Sequence, residues 1–286
     1  MPELPEVETV ARTLRPHVQG SVITGAILLR DSSLHPLSLR PEDLQGCTIT
    51  DVCRRGKLLL LELDAAQAAS PHVRGAIGLR LAVHLRMTGR LMTYSVDTQP
   101  GTHTRCVFDL MNAQGQKRRL FFDDVRAFGL LLAGTPQTMQ RWDFWRELGP
   151  EPLELTDAAF SARLDGKNAA IKAVLLDQKV IAGVGNIYAD ECLFAAGIDP
   201  RRKAASLTAV QRSRLLTCLK DVLLLSISQC GSSIRDYRDA NGNVGAFQNS
   251  FAVYGRSGQA CRACGRALEK IKVAGRATVY CPHCQK

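Results

Sequence analysis

The strongest limit on the fold is the spacing Cys261-x2-Cys264, sixteen residues, then Cys281-x2-Cys284. Two cysteine knuckles joined by a hairpin-length spacer suit a closed, tetrahedral structural Zn2+ with four thiolate ligands. An iron or redox centre is the competing use of the same residues. His283 lies inside the second knuckle, where four cysteines leave it no coordination position. Leu268–Val273 and Ala277–Tyr280 read as two strands turning at Ala274-Gly275, with Lys270 and Lys272 exposed and Arg276 near the tip. So small a ribbon depends on its metal to fold. The other six cysteines are scattered among apolar residues and read as reduced, mostly buried thiols.

Charge separates along the 286 residues. Residues 201–286 hold 15 Lys and Arg against 4 Asp and Glu, whereas residues 1–200 hold 22 against 23. A basic C-terminal third on a neutral body is the footprint of a polyanion binder; the plainer alternative is a basic, solvated surface. No apolar run approaches the length of a membrane span, and the acidic, proline-bearing start is no signal peptide, so a cytoplasmic protein is expected. No dimerisation signal is visible, and a monomer is expected.

Upstream of the ribbon, Asn168–Gln178 reads as a helix carrying Lys172, with Lys167 beside it. After Val180–Gly185 comes a second helix from Ile187 to about Ala196, N-capped by Asn186 and stopped by Gly197. Gly183 and Gly185 leave backbone N–H groups accessible at that N-terminus, which suits phosphate; an ordinary capped helix is the alternative. Ser206–Cys230 is a longer helix with a Thr208-x-x-Gln211 capping box.

From Ser21 to Ala133 the pattern is strands: Val22–Arg30, Cys47–Arg54, Lys57–Leu63, Ile77–Leu85, Arg90–Tyr94, Arg105–Leu110, Arg118–Asp123 and Gly129–Leu132. Repeated hairpins point to a β-sandwich or barrel-like domain. Thr135–Leu155, with Trp142 and Trp145, is a packed connector. The predicted organisation is α+β: an N-terminal domain over 1–134, the connector 135–155, a helical domain over 156–250 and the zinc ribbon over 251–286.

The first ten residues, Met-Pro-Glu-Leu-Pro-Glu-Val-Glu-Thr-Val, have two readings. One is a helix start, with Pro5 and Glu6 suited to the first turn and Val7, Val10, Ala11 and Leu14 forming one apolar face. In the other, removal of Met1 leaves Pro2 with a secondary amine that titrates near pH 8 and attacks carbonyl carbons to form an imine, with Glu3 beside it to move a proton.

The start Met1–Val10, the stretch His84-Leu85-Arg86-Met87-Thr88-Gly89, Gly183–Glu191 and the four-cysteine ribbon occur in an order that resembles the formamidopyrimidine-DNA glycosylase family of base-excision repair enzymes. The resemblance spans the whole chain. It implies two lobes, an N-terminal β-sandwich and a C-terminal helix–two-turn–helix bundle with a zinc finger, holding duplex DNA between them. The implied activity is that of a bifunctional glycosylase and abasic-site lyase. It removes 8-oxoguanine and formamidopyrimidines, then cuts the strand by β- and δ-elimination, with no catalytic cofactor.

By the same resemblance Pro2 is the nucleophile at the sugar C1′, Glu3 the general acid and Glu6 its supporting carboxylate. Lys57 contacts phosphate and serves β-elimination, while Arg276 grips the backbone and serves δ-elimination. His84, His103, Arg126, Lys167, Lys172 and Asn186 match positions that bind DNA. Met87, Arg126 and Phe128 fill the gap left by a flipped nucleotide, whose extrusion costs roughly a few kcal/mol. Arg86, Val125 and Ala127 depart from the usual motif around that trio. Ser232–Ser250 resembles a loop that closes over the flipped base. The implied partner is duplex DNA bearing an oxidised purine or an abasic site, and the implied location is the bacterial cytoplasm, at the nucleoid. Two other readings are an endonuclease VIII-like enzyme for oxidised pyrimidines and a non-catalytic zinc-ribbon DNA-binding protein.

Overall fold

The structure, a computed structural model, describes residues 2–234 and 237–286; Met1 and the expected loop residues Arg235 and Asp236 lie outside them. The chain divides into two compact units, one of Met1–Arg146 with Ser232–Gly245 and the other of Glu147–Gly231 with Ala246–Lys286. The segment Ser232–Gly245 thus groups with the sheet-bearing unit, whereas the sequence pattern places it with the helices.

The first unit opens with helix α1 (Leu4–Val18), whose Val7, Val10, Ala11, Leu14 and Val18 are buried on one face. Eight antiparallel strands follow: β1 (Val22–Leu28), β2 (Thr48–Arg55), β3 (Leu58–Asp64), β4 (Leu79–His84), β5 (Gly89–Tyr94), β6 (Thr104–Met111), β7 (Lys117–Asp124) and β8 (Leu130–Gly134). They form one hydrogen-bonded sheet in the order β5-β7-β6-β1-β2-β3-β4-β8. Alternate residues of all eight strands, from Ile23 and Leu59 to Phe122 and Leu131, join α1 in a single core. The sheet therefore folds over that core in the manner of a sandwich, with α1 as part of the filling.

All eight expected strands are present, displaced by a residue or two at their ends. The connector forms two short helices, α2 (Pro136–Arg141) and α3 (Asp143–Arg146). Their Met139 and Trp142 are buried against Leu58, Leu60, Ala82 and Leu132, the opposite face of β3, β4 and β8.

The second unit holds α4 (Asp157–Leu164), α5 (Ile171–Leu176), α6 (Asn186–Ala196), α7 (Ala209–Ser228) and the hairpin β9 (Glu269–Val273)–β10 (Arg276–Tyr280). The expected helix Asn168–Gln178 is shorter because its first residues pair across the chain. Ala204 donates to Ala169 O at 3.0 Å and Ile171 to Arg202 O at 2.6 Å, which commits the backbone before α5 begins. Helix α6 starts at Asn186 with Gly185 as its cap, one residue earlier than expected, and Gly197 closes it in the left-handed conformation at φ 69°. The Thr208–Gln211 capping box is present at the start of α7. Among the described residues no helix is long and apolar enough to cross a membrane.

Candidate functional site

Three groups of the expected residues assemble within the sheet-bearing unit. The first is the chain start. Pro2 and Glu3 are buried, and Glu3 is the N-cap of α1. Its backbone N–H donates to Glu6 Oε2 at 2.8 Å, which satisfies a donor the first turn leaves over. The other Glu6 oxygen accepts from Ser232 twice, from the backbone N–H at 2.8 Å and from Oγ at 2.9 Å. Tyr237 Oη donates to Glu6 O at 3.2 Å. Glu6 thereby ties the start of α1 to Ser232 through its carboxylate and to Tyr237 through its backbone carbonyl. Further along α1, Thr13 Oγ1 accepts from Ala240 N, and His17 Nε2 meets Asn241 Oδ1 at 2.7 Å. Ser232 and Tyr237 had no signal of their own in the sequence.

The second group surrounds Lys57. This residue sits in the two-residue turn between β2 and β3, after Gly56 at φ 57°, and its side chain is buried. His84, at the end of β4, pairs across the sheet with Leu58. Its Nδ1 accepts from Arg86 N at 3.1 Å, an assignment that leaves the proton on Nε2. Burial pushes the imidazole down to about 3, helped by the charges of Arg86 and Lys57, so it stays neutral. A neutral N–H is suited to donating to a phosphate oxygen without a counter-charge.

The third group is the exposed trio. Met87 lies in the β4–β5 connection; Arg126 and Phe128 lie in the β7–β8 connection, where the Arg126 guanidinium stacks 4.8 Å from the Phe128 ring centroid. Phe128 is 56% exposed and Met87 39%. Asp124, fully buried, joins the two connections. Its Oδ1 accepts from Thr88 Oγ1, which in turn accepts from Arg126 N at 3.0 Å; its Oδ2 accepts from Gly129 N at 2.6 Å. Gly129 permits this approach, since a Cβ there would lie 2.5 Å from the Phe122 ring. Arg86 and Ala127, each at φ 53°, are held in the left-handed conformation beside the trio. His103 is exposed, and its carbonyl accepts from Asp124 N at 2.9 Å. Asp124 is an organiser that spacing alone did not mark.

The helical unit carries the remaining residues. Lys167 is exposed in the α4–α5 loop. Lys172 is not: its side chain is fully buried, with Nζ 2.6 Å from Asp190 Oδ1, 2.7 Å from Thr278 Oγ1 and 3.2 Å from Ala277 O. Its expected position at DNA is replaced by an inward one, because the ammonium neutralises a carboxylate inside the unit. Burial still outweighs that attraction at Asp190, pushing its carboxyl up to about 6. Asn186 likewise donates its Nδ2 to Ala277 O at 3.0 Å. Glu191, next along α6, accepts from three consecutive N–H groups, Ala252, Val253 and Tyr254, at 2.8, 3.0 and 2.7 Å. Adjacent acids in an otherwise apolar helix were the available signal for this pair. One helix turn thus grips the ribbon at its entrance and at β10, beside Arg276, which is exposed at the tip.

The four cysteines are brought together. Their Sγ atoms lie within 4.8 Å of one another, with Cys261–Cys284 at 3.9 Å and Cys264–Cys281 at 3.5 Å. Four sulfurs at Zn–S bonds of ~2.3 Å stand about 3.8 Å apart on a tetrahedron, so the cluster fits zinc as it stands. Cys261 and Cys281 also pack with Val253, Leu268 and Val279 in one apolar cluster. His283 is exposed, outside the cluster.

A curled antiparallel sheet whose core takes in the first helix, and a helical unit bonded to a four-cysteine ribbon, are the two parts that the sequence motifs imply. Comparison with known proteins agrees. Residues 1–131 match the formamidopyrimidine-DNA glycosylase N-terminal domain, 148–238 its H2TH domain and 258–286 the zinc finger found in FPG and IleRS. The chain is 42% identical to the formamidopyrimidine-DNA glycosylase of Nitratidesulfovibrio vulgaris and 41% to that of Xanthomonas euvesicatoria, each covered over 100% of both chains. Among solved structures it is similar to MutM (Fpg) of Thermus thermophilus, with TM-score 0.85, 39% identity and coverage of 99% and 98%. It is also similar to a Lactococcus lactis Fpg mutant bound to DNA containing Fapy-dG, with TM-score 0.86, 32% identity and full coverage of both chains. The chain belongs to the formamidopyrimidine-DNA glycosylase family.

Proposed function

We propose that this protein is a base-excision repair glycosylase and abasic-site lyase that removes 8-oxoguanine and formamidopyrimidines from duplex DNA. The observation that carries the reading is the locked chain start: a buried Pro2–Glu3 turn held by the buried Glu6 carboxylate. With Met1 removed, the Pro2 nitrogen attacks C1′ of the flipped nucleotide and the glycosidic bond breaks; its electron pair leaves with the base, which takes up the proton the amine gives up. Glu3 gives its proton to O4′ as the sugar ring opens, and Pro2 and C1′ are left joined as a cationic imine, an iminium. That imine acidifies the C2′ proton. Loss of the proton expels the 3′-phosphate, with Lys57 serving the transfer, and a second elimination expels the 5′-phosphate beside Arg276.

Met87 and Phe128 enter the space the nucleotide leaves, and Arg126 reads the orphaned base. His84, His103 and Lys167 hold phosphates. Lys172 and Asn186 serve indirectly, fixing the strand that carries Arg276. Cys261, Cys264, Cys281 and Cys284 would hold zinc, which supplies structure and no chemistry. The same reading places the enzyme as a monomer at the nucleoid in the bacterial cytoplasm.

Borohydride trapping on a duplex with 8-oxoguanine opposite cytosine tests this reading. Untagged protein is expected to give a covalent adduct, and protein with a blocked Pro2 none. An adduct on thymine glycol alone, or on neither duplex, overturns the assignment.

A further inference from the structure

The connector helix α3 lies against the strand ends that carry Lys57 and His84. Trp145 meets two guanidinium groups, with Arg55 Cζ 5.2 Å and Arg80 Cζ 5.5 Å from its ring centroid. Arg55 is the last residue of β2, two before Lys57, and pairs with Leu58 across the turn that contains Lys57. Arg80 is anchored to Glu62 at 3.4 Å and is its register partner on β3. Phe144 packs on His84 with ring centroids 5.4 Å apart, and Trp142 backs Phe144 at the same separation. One short helix therefore touches both flanks of Lys57: the arginine that opens its turn and the histidine across the strand.

We propose that Phe144 and Trp145 are positioning residues for Lys57, holding the β2–β3 turn and His84 as one unit. This rests on the assignment of Lys57 to β-elimination. A lysine has four rotatable bonds and a compact charge, so the placement of the buried Lys57 ammonium depends on how firmly its turn is held as well as on its own contacts. Two guanidinium groups near one indole are cation–π contacts that join α3 to β2 and β4. An error near 1 Å in a positioned group costs up to about 10²-fold in rate, which makes such support measurable.

The test is the single-turnover rate of β-elimination on a duplex with a preformed abasic site, using the full-length zinc-loaded protein. Phe144→Leu and Trp145→Leu are expected to slow it about tenfold while affinity for a duplex with a tetrahydrofuran site changes less than about twofold. Met139→Ala, in the same apolar cluster, is expected to lower Tm and leave the rate alone. Trp145→Phe keeps an aromatic ring for the guanidinium groups and is expected to restore the rate. In a Lys57→Ala background Trp145→Leu is expected to add nothing, since its effect passes through Lys57. Leucine variants at full speed, a Trp145→Phe enzyme as slow as Trp145→Leu, or an additive loss in the Lys57→Ala background overturns the inference. A Lys57→Ala enzyme of undiminished rate overturns the Lys57 assignment itself, and the inference with it.

Discussion

Individual residues here do work that their chemical type does not announce. Lys167 and Lys172, five apart, look equivalent in sequence, yet one is exposed and the other wholly buried on Asp190. Lys167→Ala is expected to leave Tm within about a degree and to flatten the salt dependence of DNA binding by roughly one ion. Lys172→Ala strands a buried carboxylate and is expected to cost about 3–5 kcal/mol, read as a lower urea midpoint. Equal effects on stability would contradict the burial. Cys230, one residue past the cap of α7, sits at φ 59°, a conformation glycine takes without strain, so Cys230→Gly is expected to raise stability by about 1 kcal/mol. His84 offers a pH test. Its folded value near 3 is below the unfolded value near 6.5, so the unfolded chain binds more protons between them. The stability it contributes is present above about pH 6.5 and lost as pH falls toward 3; an imidazole seen by NMR to titrate near 6.5 in the folded protein would refute its burial.

At the scale of elements, the ribbon and α6 form one mechanical piece. Asp190 holds β10, Glu191 holds the entering segment Ala252–Tyr254, and the four cysteines that would bind zinc gather at the far end. Removing zinc is expected to unfold the ribbon while leaving the sheet-bearing unit folded, because the core of that unit contains none of the four ligands. Chelation followed by NMR checks this; ribbon signals unchanged after zinc loss would show that α6 alone supports it. Glu191→Gln keeps the shape but loses the charge that three N–H groups address, and is expected to cost about 1–3 kcal/mol. Elements were the most legible level of the sequence. The eight strands show because alternating side chains face one core, and α1 shows because its apolar residues repeat every three or four. The helix expected from Asn168 was overstated, since apolar and alanine-rich residues suit helix as well as the extended pairing that Arg202–Ala205 supply.

For the whole molecule, the charge surplus of the C-terminal third and the closed cysteine set foretold a zinc-bearing polyanion binder, and both depend only on composition and spacing. Family membership was equally legible, since its motifs are contiguous runs. The sequence by itself determined the strands and the metal ligands, because each follows from local periodicity or fixed spacing. Only the tertiary structure decided that Glu6 joins the chain start to Ser232, that Asp124 binds the two connections of the exposed trio, that Lys172 turns inward, and that α3 covers the flanks of Lys57. The physical reason is common to all four. Each joins a charge or ring to a group remote along the chain or across the sheet, and the direction of a side chain is set by what surrounds it after folding.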